Sequence, residues 1–444
     1  MILKKIEKPN ISEIKDERRL FLLHQKEIWD LVNKSYSPYS PWDKVKYWTL
    51  APQFRSEELW AVVKFARSLS FQKSLIQDTD GSPFVWSRAL PGMDKTLHHI
   101  DLQLGGNLFD FGLHLDERRR HQLLNRGVME EAIASSQLEG AHTTRKAARQ
   151  MLQEGRAPRN KSEHMILNNY RAMQWIEAEL KNKKLDENLL LELQAILTKN
   201  TLDPSDIGRF RRDEDGIVVG GENPQEVYFI PPPDSFLKPQ LKIFLNYAND
   251  LLEDVNFVHP VVKAILIHFW IGFLHPFVDG NGRLARTLFY WYLLKQKYWA
   301  FGYLPLSSVI KKSPAQYHRA YLYTEQDDHD LTYFLDYNLR KIAQAMQDFE
   351  SYVQRKSKEN SRMAKRVRED YHFNDRQIQL LRFFYKNQDA TTSITAYTRV
   401  YQVALMTARS DLLSLKEQGF LASSKSGRIV FYGPTKKLFE LFEK

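Results

Sequence analysis

The sequence predicts a mainly α protein with one β-hairpin and a separate C-terminal domain. Three observations support this fold class. Apolar residues recur at helical spacing over most of the middle of the chain, as in residues 117–138 and 287–294. Within this middle part, residues 217–230 have the form of a hairpin, with β-branched or aromatic arms around a turn that contains Gly, Asn and Pro. A charged stretch, residues 355–370, then precedes a last segment with its own apolar helices.

Composition limits the class of protein. The 444 residues are 43% apolar and 13% aromatic, which is enough for two or three globular domains. The absence of cysteine excludes disulfides, thiol catalysis and thiolate metal sites, and it agrees with a cytoplasmic location. Charges near residue 4 exclude a signal peptide, and no apolar run reaches the roughly 18 residues of a membrane span. The net charge of +10 permits contact with nucleic acid without requiring it.

Four regions follow one another along the chain. Residues 1–115 form an aromatic-rich N-terminal region, and residues 116–352 form a helical core. Residues 353–370 form a charged linker that is either a solvated helix or tether, or a patch that binds nucleic acid. Residues 371–444 form the last domain.

The last domain has the pattern of a winged helix-turn-helix. A short helix over about 393–400 precedes a candidate recognition helix over 405–419, and residues 420–432 then form a hairpin. The region has 11 Lys and Arg against 6 Asp and Glu, which suits DNA. Winged domains also bind proteins, so both kinds of partner stay open.

The segment His275-Pro-Phe-Val-Asp-Gly-Asn-Gly-Arg-Leu-Ala-Arg286 carries the most chemical information. It lies between two apolar segments, so it should be a tight loop between two helices. A helix that starts near Gly282 directs its free N–H groups into this loop, which makes an anion site. Gly280 and Gly282 let the backbone curl around phosphate oxygens, and Arg283 and Arg286 add two permanent cations.

Two further side chains of the loop suit catalysis. His275 is the one loop residue whose ordinary pKa lies near neutral pH, so it is the candidate general base. Asp279 is a hard oxygen ligand suited to Mg²⁺, or Mn²⁺, bound together with phosphates. A calcium-binding EF-hand is excluded because its fifth, sixth and twelfth places hold Arg283, Leu284 and Tyr290. The Gly-Lys-Ser/Thr of a Walker loop is absent.

The twelve residues 275–286 match the Fic family signature, H-P-F-x-(D/E)-G-N-G-R-x-x-R, at every fixed position. The order of the predicted elements also resembles a Fic helical core with a β-hairpin flap. The resemblance implies a nucleotidyltransferase that moves AMP from ATP to a Ser, Thr or Tyr hydroxyl of a protein. It implies that Asn281 and the N–H groups of residues 280–283 hold the α-phosphate, and that Arg283 and Arg286 hold the β- and γ-phosphates.

The resemblance also implies which residues contact the adenine of ATP and which contact the protein substrate. Where the family has a Tyr-Tyr pair that holds adenine, this chain has Tyr317-His318, so Tyr317 is the expected nucleotide contact. The 217–230 hairpin should offer a strand edge to an extended segment of the substrate, which can include a site on the protein itself. A purely structural hairpin is the alternative.

The segment Ser135-Ser-Gln-Leu-Glu-Gly140 is similar to the family's inhibitory pattern, (S/T)-x-x-x-E-(G/N). A carboxylate at the end of a helix is repelled by the helix dipole, so Glu139 needs a cation, and the resemblance gives Arg286 as that cation. Ser135, four residues earlier, should hold the geometry of Glu139. The implied protein is a self-inhibited adenylyltransferase, which in some relatives also removes AMP. The alternative is a DNA-binding transcriptional regulator that uses the Fic core as a nucleotide sensor, but nucleotide sensing alone would not require His275.

Overall fold

The computed structural model describes residues 2–3, 5–105, 117–220, 226–252, 256–388, 390–426 and 429–443. The chain forms two compact units, residues 1–348 and 349–444. Within these described ranges, no helix has both the length and the apolar character needed to cross a membrane.

The first unit is built mainly from helices. In chain order they are α1 (Asp16–Leu23), α2 (Lys26–Lys34), α3 (Trp42–Val45), α4 (Ser56–Ser68), α5 (Met93–Ile100), α6 (Glu117–Leu138), α7 (Arg145–Glu154), α8 (Lys161–Ala178), α9 (Glu187–Thr198), α10 (Asp234–Ala248), α11 (Pro260–Leu274), α12 (Asn281–Lys295), α13 (Leu306–Ile310), α14 (Pro314–Gln326) and α15 (Thr332–Tyr371). Helix α15 continues past residue 348 into the second unit, so the backbone of the predicted 353–370 linker is helical and belongs to that unit.

The centre of this unit is the antiparallel pair α11 and α12. Both helices are buried on nearly every face, α11 with almost entirely apolar residues and α12 with polar residues in its first two turns. They pack on each other, and α12 also packs on α6, α8 and α9. The loop between α11 and α12 is thus carried by the best buried helices of the molecule.

Five short strands accompany the helices in the described part of this unit. They are β1 (Ile2–Leu3), β2 (Phe71–Gln77), β3 (Pro83–Ser87), β4 (Val219–Gly220) and β5 (Glu226–Phe229). Strands β2 and β3 form an antiparallel hairpin, and the other three form a sheet in the order β1-β5-β4. The antiparallel pair β4 and β5 is the flap, and it lies within the predicted 217–230 hairpin. The Gly-Asn-Pro turn of that hairpin lies outside the described residues.

The second unit has its own small core. Its elements are α16 (Asp375–Lys386), β6 (Thr392–Ser393), α17 (Ile394–Tyr401), α18 (Leu405–Glu417), β7 (Leu421–Ser426), β8 (Ile429–Pro434) and α19 (Lys436–Glu443). The strands form one sheet in the order β6-β8-β7, and the buried core includes Leu381, Leu412 and Phe420. The predicted hairpin turn at Gly427 lies outside the described residues. The winged helix stays a prediction.

Candidate functional site

The loop between α11 and α12 begins and ends in left-handed backbone. His275 has φ 46° and its N–H donates to the Ile271 carbonyl at 3.0 Å, which closes α11. Gly280 has φ 91° and precedes the first residue of α12. A side chain at residue 280 would be strained by this φ, so glycine is required there. The result is a compact turn into which the first N–H groups of α12 point, as an anion site requires.

The side chain of Asn281 shapes this loop. Its Oδ1 accepts the N–H of Phe277 at 3.0 Å, and its Nδ2 donates to the Phe277 carbonyl at 2.7 Å. Because the side chain is buried, both of its hydrogen-bonding groups are used within the loop. The expected contact between this amide and the α-phosphate stays a prediction, and it would use the second N–H of Nδ2.

Arg283 is also committed to the protein. Its side chain is fully buried, and its Nη1 donates to the Leu197 carbonyl of α9 at 2.6 Å. This bond satisfies one of the carbonyls that the end of a helix leaves unpaired. The sequence favoured a phosphate contact for Arg283, and that contact stays a prediction.

Asp279 faces the mouth of the loop. Its Oδ1 accepts the N–H of Gly280 at 2.6 Å, and its Oδ2 lies 3.4 Å from Nη2 of Arg283. The side chain is 38% exposed, so it keeps lone pairs for an incoming cation. Over the ranges that the structure describes, no group of three or more His, Cys, Asp or Glu forms a ready metal cluster. A single carboxylate nevertheless suits Mg²⁺ that takes its other ligands from phosphates and water.

His275 has the properties of a neutral base. Burial lowers its pKa to about 4, so the imidazole carries no charge at neutral pH. Its Nδ1 lies 3.3 Å from the Gly272 carbonyl oxygen, which can only accept a hydrogen bond. The proton is therefore assigned to Nδ1, which leaves the lone pair on Nε2 to accept another proton.

The carboxylate of Glu139 lies against the first turn of α12, at the predicted anion site. Its Oε1 is 2.9 Å from Nη2 of Arg286, and it would be only 2.2 Å from a Cβ atom added to Gly282. Desolvation is the largest single influence and raises the pKa of Glu139, but the charges of Arg286 and Arg283 and the hydrogen bond from Arg286 together lower the pKa below its ordinary value. Glu139 directly follows the last residue of α6, where its charge is disfavoured, and lies beside the first turn of α12, where it is favoured. Glycine at residue 282 is what lets the carboxylate come so close.

Ser135 holds Arg286 and not the glutamate. Its hydroxyl accepts from Nε of Arg286 at 2.8 Å, and its carbonyl accepts from Nη2 at 3.0 Å. The sequence pattern had suggested that Ser135 would hold Glu139, because the two lie four residues apart. The guanidinium lies between α6 and α12, so the serine bonds to it across the helix pair. Ser135 and Glu139 together fix the direction of this arginine.

Tyr317 lies behind Arg286 and is almost entirely buried. Its hydroxyl is 2.8 Å from Nε2 of His268 on α11. Burial raises the pKa of Tyr317. The positive charge of Arg286 lies close enough to the phenol to oppose that rise. Burial lowers the pKa of His268 to about 3, so this imidazole is neutral and structural. The expected contact of Tyr317 with adenine stays a prediction.

Arg211 also belongs to the site, although no sequence pattern selects it. Its Nε donates to the His275 carbonyl at 2.7 Å, and its Nη2 donates to the Pro232 carbonyl at 2.5 Å. The guanidinium thus joins the start of the loop to the chain that leaves β5. No spacing in the sequence links Arg211 to the loop, because the residues meet only through the tertiary fold.

The flap lies beside α11. The ring of Phe229 on β5 is 5.6 Å from the ring of Phe273, two residues before His275. On one side β5 pairs with β4, and on the other it pairs in parallel with β1. The flap therefore has a neighbour from the start of the chain, which the sequence did not predict.

Comparisons with known proteins agree on the nature of this segment. The model of the Fic/DOC family matches residues 184–293. The chain is 33% identical over 161 residues to "Protein adenylyltransferase Fic" of Drosophila mojavensis, which covers 35% of this chain and 28% of that protein. The protein of the same name from Drosophila melanogaster is 33% identical over 158 residues, which covers 35% of this chain and 28% of that protein. The match thus spans little more than a quarter of these relatives.

Among solved structures, a fragment of a variant of Fic-1 from C. elegans is similar to this chain with a TM-score of 0.51 and 16% identity. The match covers 78% of this chain and 90% of that fragment. At this identity the likeness shows the fold.

Proposed function

The chain contains a domain of the Fic/DOC family, and from this premise we propose that it is a protein adenylyltransferase restrained by its own Glu139. The substrates would be ATP and a protein that carries a Ser, Thr or Tyr hydroxyl. Support comes from the residues gathered at the loop: a neutral imidazole, a helix N-terminus, a half-exposed carboxylate and the cation Arg286.

The proposed reaction is a direct displacement at phosphorus. The hydroxyl oxygen of the substrate attacks the α-phosphorus of ATP, its proton passes to Nε2 of His275, and the bond to the leaving pyrophosphate breaks. The N–H groups at the start of α12 would hold the phosphates, and Arg286 would hold the far end of the triphosphate. Mg²⁺ or Mn²⁺ on Asp279, when bound, would neutralise charge on the pyrophosphate.

The proposed restraint follows from competition for one cation. Arg286 is held by Ser135 and Glu139, and the glutamate also lies against Gly282 at the anion site. A carboxylate and a triphosphate cannot both occupy this space, because both are anions that would lie at the N-terminus of α12 and against the same guanidinium. ATP would therefore bind with its γ-phosphate displaced while Glu139 remains. This contact is the single observation that carries the inhibition.

The experiment is mass spectrometry of the intact protein after incubation with ATP and Mg²⁺. We expect Glu139→Gly to accumulate AMP on its own hydroxyl side chains faster than wild type. The increase should be roughly 5- to 150-fold, which corresponds to a coupling free energy of ~1–3 kcal/mol. Glu139→Gln keeps the size of the side chain but removes its charge, so it should fall between the two.

Two controls give this experiment its meaning. Glu139→Gly combined with His275→Ala should add no AMP, and excess chelator should stop the reaction of Glu139→Gly. Equal rates for wild type and Glu139→Gly would rule out the restraint. No mass increase of one AMP in any variant, with a range of added proteins, would rule out the transferase.

The flap would supply the docking edge for the protein substrate, since its strand β5 packs beside the helix that ends at His275.

For the second unit we propose a winged helix that binds a macromolecular partner. Its helix α18 starts with Leu405 and Met406, which are 61% and 72% exposed. Exposed apolar residues at this position favour a protein partner over DNA.

A further inference from the structure

The edge of β5 with which a substrate strand would pair already carries another strand of the chain. Strand β1 pairs in parallel with β5, with Ile2 opposite Glu226 and Leu3 opposite Val227. The other edge of β5 pairs with β4. Among the described residues, both edges of β5 therefore carry a strand of the same chain.

The segment that follows β1 is fixed to the body of the first unit. The N–H of Ile6 donates to Oε1 of Gln326 at 2.8 Å, and Oε1 of Glu7 accepts from the indole of Trp42 at 3.3 Å. Lys46 forms an ion pair with the same glutamate. These anchors lie only three to five residues from β1, so they keep the strand next to β5.

Strand β1 pairs with β5 in the same way as a bound peptide would, through its backbone. Strand addition uses backbone hydrogen bonds, so it accepts many sequences, and a tethered segment acts at an effective concentration on the order of mM. Strand β5 is the better docking strand of the flap because it has four residues and contacts α11 through Phe229, whereas β4 has two residues.

We propose that residues 2–3 occupy in cis the edge of β5 that receives the protein substrate, so that a substrate segment binds only after β1 leaves. The proposal rests on the proposed function, because it assigns the substrate to the flap. It adds a second restraint, which acts on the protein substrate, whereas Glu139 acts on ATP. A substrate segment that takes this place would also run parallel to β5.

The test uses the full chain with Ile2→Pro and Leu3→Pro together. Proline has no N–H and disrupts strand pairing, while the matched control Ile2→Val with Leu3→Val keeps every backbone donor. Glu7→Gln is a second variant, which weakens the anchor and leaves β1 unchanged.

Two readouts do not depend on catalysis. Hydrogen exchange of the amides of residues 226–229 should be faster in the proline variant than in the valine control. A fluorescent synthetic peptide with the sequence of residues 1–8 should bind the proline variant on the order of tenfold more tightly than wild type, and a scrambled peptide should not. Glu7→Gln should give a smaller shift in the same direction.

A third readout links the edge to transfer. In the Glu139→Gly background, the proline variant should add AMP to a separate His275→Ala copy of the chain on the order of tenfold faster than the valine control. Unchanged amide exchange, or peptide binding equal to wild type, would overturn the proposal whether or not transfer occurs. Faster exchange with unchanged transfer would show that substrates use another edge, such as that of β4. Absence of transfer in every variant would count against the proposed function and leave the first two readouts to decide the occupancy.

Discussion

The loop between α11 and α12 and the flap contribute to the same proposed site, but the loop is fixed by the surrounding protein and the flap is not. The loop lies between two buried helices, and the side chains of Asn281 and Arg283 bond to protein backbone. The flap is a pair of short strands with an exposed neighbour, Ile230, and its third strand comes from a distant part of the sequence. The loop is therefore set before a ligand arrives, while the flap can exchange one strand for another.

This difference suits the two proposed substrates, ATP and a protein. A triphosphate always presents the same anionic oxygens, so a fixed set of N–H groups and cations can serve every turnover. Protein substrates differ in sequence, and backbone pairing on a strand edge tolerates those differences. A rigid loop and an exchangeable flap would thus give one chemistry on varied acceptors. Variants of the loop should change the rate of the chemical step, and variants of the flap should change the apparent affinity for the acceptor.

The largest effect expected is that of His275→Ala on the loop. Loss of the base should reduce transfer in the Glu139→Gly background by about 10²–10⁴-fold, because proton removal contributes that much to such reactions. ATP affinity, measured by calorimetry, should change little, since in the proposed site the N–H groups of α12, and not His275, would contact the phosphates. Transfer within a few-fold of the parent would show that His275 is not the base.

The dependence of transfer on pH probes the same loop. Burial lowers the pKa of His275 to about 4, so the imidazole stays unprotonated as the pH falls below the ordinary value of 6.5. For Glu139→Gly at subsaturating ATP, we expect kcat/KM to stay constant from about pH 8 to about pH 6 and to fall only at lower pH. Glu139 raises this pKa, so its removal moves the fall further toward acid. A fall centred at or above pH 6.5 would contradict the desolvated base.

The sequence predicted the loop better than the flap, for a physical reason. Helix, tight turn and helix follow from local spacing, and the chemistry of His275 and Asp279 follows from residue type. The ion pair of Glu139 and Arg286 joins residues 147 apart in the chain, and only the resemblance to a family suggested it. The mainly helical fold is confirmed and residues 184–293 match the model of the Fic/DOC family, while the roles of the single residues stay predictions.

What the sequence missed depends on packing between distant elements. The bonds of Arg283 to α9 and of Ser135 to Arg286 arise because helices far apart in the chain meet side by side. The pairing of β1 with β5 involves two residues near one end of the sequence and two of the four residues of β5. Such short strands have no periodicity that could be recognised, because two residues cannot establish an alternation.

The smallest effect expected is that of Phe229→Ala on the flap. The ring of Phe229 is partly buried against Phe273, and its loss should loosen β5 over α11 without reaching the loop. A buried phenylalanine contributes about 3–5 kcal/mol, and a half-buried one a fraction of that, so we expect a several-fold rise in KM for the acceptor. The acceptor is the His275→Ala copy, and the enzyme is Glu139→Gly.

The matched control is the adjacent Ile230→Ala. Because Ile230 is 59% exposed, this substitution should leave kcat and the KM for the acceptor unchanged. For Phe229→Ala, kcat and the shape of the pH profile should stay those of the parent, since the base and the anion site are untouched. A fall in kcat comparable to that of His275→Ala, with KM unchanged, would mean that the flap also positions the reacting groups. The division of labour between a fixed loop and an exchangeable flap would then be wrong, because both regions would act on the chemical step.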